Sequence, residues 1–132
     1  EKELNNLKNK NLSSVAQSEN IIKIRNIKFI SKVLNNIPPN NLKGIVDNYL
    51  VKETNCVTAL LSVDGKKISL VVGVTNDLSH KINAIDLVKI GSSIFGGKGG
   101  GGRPTMAQSG GSDINATQKT IDGLVTYIKN LD

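Results

Sequence analysis

The sixteen residues from Gly96 to Gly111 read Gly-Gly-Lys-Gly-Gly-Gly-Gly-Arg-Pro-Thr-Met-Ala-Gln-Ser-Gly-Gly, and they hold eight of the chain's thirteen glycines. Glycine reaches backbone angles closed to other residues, but it loses the most conformational freedom on folding. Such a run either stays a flexible linker or is ordered by something that needs bare backbone. Linkers are commonly Gly/Ser repeats without an embedded Arg-Pro-Thr-Met-Ala-Gln, and helix patterns stand on both sides of this run, so order is the expectation. Amide N–H groups beside two cations, Lys98 and Arg103, suit a phosphate or another anion. Arg103 brings a planar donor fork that matches phosphate. Pro104 stiffens the exit from the glycines, and Gln108 can hydrogen-bond a ribose or a base edge. The helix that precedes the run works against an anion, because its C-terminal dipole is negative. The helix that starts near Asn115 supplies a compensating positive end if the fold brings it close.

Two familiar phosphate motifs fail on context. Gly97-x-Gly99-x-x-Gly102 has the GxGxxG spacing, but the dinucleotide fingerprint follows a strand and opens a helix, whereas this run follows a helix. The P-loop requires Ser or Thr after its lysine to bind magnesium, and Lys98 is followed by Gly99. No nucleotide-hydrolysing machinery follows from this segment.

Catalytic groupings are equally scarce. Asp77, Asp86 and Asp113 each stand at a turn or helix start, and nothing pairs them for acid/base work. Ser109 and Ser112 have no nearby His to activate them. The chain carries one His, His80, and one Cys, Cys56, which cannot make a convincing zinc site. Cys56 lies in the apolar run Cys56-Val57-Thr58-Ala59-Leu60-Leu61 and reads as a small buried hydrophobe. A single Cys excludes an internal disulfide framework and fits a reducing compartment. The expectation is binding rather than catalysis.

Seventeen basic against eleven acidic residues give a net charge of +6, which points towards a polyanion such as nucleic acid or towards an acidic membrane surface. Compositional bias in a Lys- and Asn-rich chain is the plain alternative. A length of 132 residues with 38% apolar content allows one domain with a core, and the absence of Trp makes that core aliphatic. No apolar stretch is long enough to cross a membrane, and no signal peptide is visible. The chain starts Glu1-Lys2-Glu3, without Met, as a piece of something longer would.

These residues must be positioned by a framework. Residues 1–20 form a polar, Leu-spaced helical extension suited to dimerisation, and residues 21–132 form a globular domain with its glycine-rich loop at 96–111. Alternation from Ile21 to Leu34 predicts one strand. Leu42, Ile45, Val46, Tyr49 and Leu50 predict an amphipathic helix after Pro38-Pro39. Cys56–Val63 and Lys67–Val74 are two strands joined at Asp64-Gly65. Asn83-Ala84-Ile85-Asp86 resembles a capping box that opens a helix ending at Gly96-Gly97, and Gly91-Ser92-Ser93 gives that helix a slim face for close packing. Met106-Ala107-Gln108-Ser109 fits a short added edge strand. The last helix carries Ile121, Leu124, Val125, Ile128 and Leu131. The fold class is α/β, a small mixed β-sheet packed with helices and preceded by a helix that fits a coiled coil.

The segment Gly96–Gly111 resembles the signature near the carboxyl end of alanyl-tRNA synthetases, where a glycine run leads through a basic residue and Pro into Met-Ala-Gln-Ala-Gly-Gly. Val74-Thr75-Asn76-Asp77-Leu78 and Asn83-Ala84-Ile85-Asp86-Leu87-Val88 also fit that family. Thr105 stands where the family has an acidic residue, and Ser109 where it has Ala. The resemblance implies a carboxyl-terminal domain of the type associated with DHH phosphoesterases. Such a domain assists binding of the tRNA's outer corner and links the aminoacylation and editing modules, and its helical part contributes to a homodimer. It further implies a cytoplasmic ligase as the parent, using ATP, magnesium and a zinc-dependent editing site, with none of those catalytic or metal residues mapped here. The residues expected to touch alanine-type tRNA are Lys98, Gly99, Gly100, Gly101, Gly102, Arg103, Pro104 and Gln108. A second basic set, Lys23, Arg25, Lys28 and Lys32, is the fallback. Two alternatives stay open: the substrate-binding domain of a DHH-type phosphoesterase, and an oligomerisation module.

Overall fold

Asn26, with φ 74°, ends the first run of β-branched residues and turns the chain back. The alternating stretch is therefore a hairpin and not the single strand expected, β1 (Glu19–Ile24) and β2 (Ile27–Asn35), paired from Ile24↔Ile27 outward. The computed structural model describes residues 19–24, 26–97 and 100–130. The helical extension expected at 1–20 falls on 1–18 outside these residues, while Glu19 and Asn20 are already strand. From β2 the chain enters α1 (Pro39–Lys52), with Pro at the first helical position, where its missing N–H costs nothing. This helix is the crossover that lets β3 (Cys56–Asp64) lie parallel to β2. β3 folds back antiparallel into β4 (Lys67–Val74) at Gly65, φ 62°, with Asp64 paired to Lys67, so the turn itself is Gly65-Lys66.

The next helix, α2 (Ala84–Phe95), starts where expected: Asn83 Oδ1 accepts from the Ile85 N–H at 2.9 Å. A short β5 (Gly101–Arg103), β6 (Met106–Gly111) and α3 (Thr117–Lys129) complete the described chain. The six strands form one mixed sheet in the order β1-β2-β3-β4-β6-β5. The α/β expectation therefore holds, with one correction. The Met106 segment is not the edge, because β5, drawn from the glycine run itself, lies outside it.

Strand alternation divides the core between two faces. Phe29, Val57, Ala59, Leu61, Leu70 and Val72 meet α2 and α3 on one side. Leu34, Leu60, Val71 and Met106 meet Leu42 and Val46 of α1 on the other. Both helical layers come unusually close to β4. A methyl at Gly73 would collide with Val46 of α1, and one at Gly91 would lie 2.5 Å from Leu70 Cδ2, which accounts for the slim face of α2. Gly91 also faces Thr120, and Gly123 lies against Ile94 and Ile90, so α2 and α3 pack on one another.

The loop after β4 is pinned to the start of β3. The Cys56 N–H donates to Thr75 Oγ1 at 3.1 Å and the Asn55 N–H to Asp77 Oδ2 at 3.0 Å. The Thr75 hydroxyl first, and then the Asn55 amide, hold the Asp77 carboxyl below its ordinary value. A depressed folded-state value gives stability that is present above the unfolded value, about 3.9, and is lost as pH falls through the folded one. In urea titrations, Asp77→Asn should therefore be less stable than the parent at neutral pH, and the gap should shrink as pH drops below about 4. A gap independent of pH would show that the Asp77 charge contributes nothing.

Candidate functional site

In the described parts of the glycine segment, 96–97 and 100–111, backbone packs closely on backbone. At the end of α2, Gly96 takes the left-handed conformation (φ 76°, ψ 31°), and both its N–H and that of Gly97 donate to the Ser92 carbonyl. A side chain at Gly97 would run into the Gly110 carbonyl, and one at Gly111 into the Phe95 ring. A side chain at Gly100 would meet the Gln108 carbonyl and lie 2.8 Å from Val88 Cγ2. β6 and the lead into β5 can lie against α2 because these positions have no Cβ. Lys98 and Gly99, both expected contact residues, fall outside the described residues.

From Gly101 the chain becomes strand. Arg103 pairs with Met106 across the turn Pro104-Thr105, with Gly102 opposite Ala107 and Gly101 opposite Gln108. Both turn carbonyls are used: Pro104 accepts from the Ala84 N–H at 2.9 Å, and Thr105 from the Val74 N–H at 2.8 Å. The hairpin tip is thus tied to the start of α2 and the end of β4. Ser109, at the position where the resembled family has Ala, donates its hydroxyl to the Val88 carbonyl at 3.1 Å.

Cross-strand partners share a face, so Arg103 and Gln108 lie on the same side as Met106, the side that α1 covers. There an open pocket of about 350 Å³ lies between the β5–β6 hairpin and Lys43 of α1. Gly101, Gly102, Arg103 and Gln108, four of the expected contact residues, line it, and Met106 and Ala107 form its apolar part. Pro104 is exposed at the adjoining turn. Lys43 was not expected. It sits between Leu42 and Gly44 on a helix far away in sequence, and only the α1 crossover brings it here. Among the described residues neither Lys43 nor Arg103 is paired with a carboxylate, and the first turn of α1 carries no acidic residue.

The approach to α3 does reach the end of α2, where the Ser112 and Asp113 N–H groups donate to the Phe95 carbonyl at 3.1 and 3.0 Å. That contact is on the opposite face of the sheet, and the helix bordering the pocket is α1. A larger opening of about 470 Å³, between Lys67, Ser69, Ser112 and the glycines 96–97 and 110–111, has one cationic side chain instead of two and lacks Arg103 and Gln108.

The other polar candidates are structural. Asp113 accepts from the Asn115 N–H at 3.2 Å in a local turn, and Asp86 lies in the first turn of α2. Cys56 is buried, and burial pushes its thiol up, away from the reactive thiolate. Of the fallback set, Lys28 is bound to Glu53 at 2.9 Å and Lys23 lies directly opposite it, while Arg25 is outside the described residues. Among the described residues, no three His, Cys, Asp or Glu side chains group to hold a metal, and no helix is long and apolar enough to cross a membrane.

Comparison with known proteins identifies the setting of this site. The DHHA1 domain model matches residues 26–130, which include the whole glycine segment. The chain is 46% identical over 99 residues to an alanine–tRNA ligase of Paramagnetospirillum magneticum, covering 75% of this chain and 11% of that protein. It is 39% identical over 106 residues to the alanine–tRNA ligase of Sinorhizobium medicae, covering 80% of this chain and 12% of that one. The chain thus spans about an eighth of the length of these relatives. In fold it is similar to the C-Ala domain of Aquifex aeolicus alanyl-tRNA synthetase, with a TM-score of 0.81 at 24% identity over 84% of this chain and 99% of that one.

The pocket wall gives a sharp contrast. A methyl at Gly101 meets nothing within 4 Å, whereas at Gly102, φ 150°, it would strike the Met106 carbonyl and lie 2.6 Å from Ala107 Cα. In urea unfolding, Gly102→Ala should lose about 1–3 kcal/mol, and Gly101→Ala should stay within about 0.5 kcal/mol of the parent. Equal losses would mean that the hairpin is not packed as described.

Proposed function

The chain belongs to the DHHA1 domain family, and on that premise we propose that it is the C-terminal tRNA-binding domain of an alanine–tRNA ligase, which holds tRNA in support of aminoacylation and editing. The single observation that carries this reading is the pocket in which Lys43, Arg103 and Gln108 converge against glycine backbone. Two cations from separate elements supply attraction for phosphate, and a side-chain amide supplies both a donor and an acceptor for ribose or base. Lys98, next to the same hairpin in sequence, adds a third charge in this proposal. The net charge of +6 favours the same partner at longer range.

On this reading the domain performs no chemistry. Alanine activation with ATP and magnesium, and zinc-dependent editing, belong to the rest of a cytoplasmic parent enzyme. The described residues offer no ligand cluster for such a metal. Phosphoesterases of the DHH type usually carry a Gly-Gly-His-type loop, whereas this loop has Arg103-Pro104 followed by Met106-Ala107-Gln108, which favours holding a substrate over cutting one. The segment that precedes β1 would join two copies into a homodimer.

Binding of alanine-type tRNA, followed by fluorescence anisotropy between about 50 and 300 mM salt, tests the proposal. Log affinity should fall linearly with log salt, and the Lys98→Ala/Arg103→Ala double variant should bind about tenfold weaker with a slope reduced by roughly one to two. Binding no tighter than to an unrelated polyanion would defeat specific recognition. An unchanged double variant would move the interface to Lys23, Arg25, Lys28 and Lys32.

A further inference from the structure

We propose that the pocket between α1 and the β5–β6 hairpin receives one unstacked nucleotide of the bound RNA, with its phosphate clasped between Lys43 and Arg103 and its base edge read by Gln108. This rests on the RNA-binding reading and specifies the form of RNA that the site takes. Shape is the first argument. An RNA duplex offers a deep, narrow major groove that side chains cannot read and a wide, shallow minor groove, neither of which projects into a pocket, whereas an unpaired nucleotide can be splayed out and inserted. A concave site of about 350 Å³ suits insertion, and its size falls at the lower end of small-ligand pockets.

Chemistry is the second. The described polar groups divide as a nucleotide does. Arg103 is on the edge strand and Lys43 is half-buried on α1, so an anion between them neutralises charge drawn from two elements. Met106, 7% exposed, gives the pocket an apolar edge with a polarisable thioether against which a base can lie. The backbone of Gln108 is already committed between Val71 of β4 and Gly101 of β5, which leaves its exposed amide to pair with a base. Gly101 is the gap in the wall. It shares the pocket face with Gln108, and open space stands where its side chain would be.

That gap makes the test selective. Single-stranded RNA of about twelve nucleotides, the same sequence as a duplex, and alanine-type tRNA are titrated against the 132-residue chain at fixed salt. The variants are Gly101→Leu, Lys43→Ala and Lys43→Arg, with melting temperatures measured alongside. Gly101→Leu should fill the pocket, weaken single-strand and tRNA binding about tenfold, leave duplex binding unchanged and leave the melting temperature in place. Lys43→Ala should weaken single-strand binding and lower the salt slope by about one, and Lys43→Arg should recover most of both. Should Gly101→Leu bind single strands like the parent, or lose duplex and single strand equally, the nucleotide pocket is wrong while RNA binding stands. Failure of the parent chain to bind any of the three RNAs would overturn both.

Discussion

The structure depends on how closely bare backbone can approach bare backbone where α2 ends. Phe95 closes the core on the α2–α3 face, and its ring lies where any side chain at Gly111 would have to be. Gly97 stands in the same relation to the Gly110 carbonyl, and Gly100 to the Gln108 carbonyl. Only with these three contacts can β6 pass directly beneath the helix end and pair with β4 over its full length. With β6 in place, β5 has a partner, Arg103 has a fixed base, and the pocket has a wall. The glycines serve geometry first, and whatever anion binding they support is built on that geometry.

The two faces of the sheet divide the work. The α2–α3 face carries most of the buried aliphatic surface, with Ile68, Leu70, Val72 and Val74 from β4 alone. The α1 face is smaller, and it ends at Met106, where the core gives way to the pocket. Gly73 lets α1 lie directly against β4, so Lys43 is held at a defined height above the sheet. A larger residue at that point would lift the helix and separate the two cations. The same principle of missing Cβ atoms thus sets the site from both sides.

Much of this was legible in the chain because local chemistry and final structure agree. Asn83 opens its helix and Gly96 ends it in the left-handed turn that glycine favours; Gly65 sits in the tight hairpin, and the α1 stripe of Leu42 and Val46 is fully buried. The misses have physical causes. The turn at Asn26 has neither Gly nor Pro, and both flanks are β-branched, so the hairpin read as one strand. Gly101 and Gly102 have no side chains and hence no alternation by which a strand announces itself; only their pairing with β6 makes them one. The pairing of β6 with β4 joins residues that lie about forty apart in sequence, Ile68 with Gly111 for example, and Lys43 is further still from its pocket. No local pattern encodes such distances.

The tie between the hairpin tip and the body of the fold has an evolutionary consequence. Pro104 and Thr105 are fixed through their carbonyls, to Ala84 and Val74, and the neighbouring glycines through the absence of any side chain. None of these constraints involves the side chains of Arg103, Gln108 or Lys43, which reach solvent or the pocket. Substitutions at these three positions can therefore change the chemistry of the pocket without changing the scaffold, whereas substitutions at the glycines cannot. Selection can retune the pocket's side chains one residue at a time on a frame whose shape it has little freedom to alter.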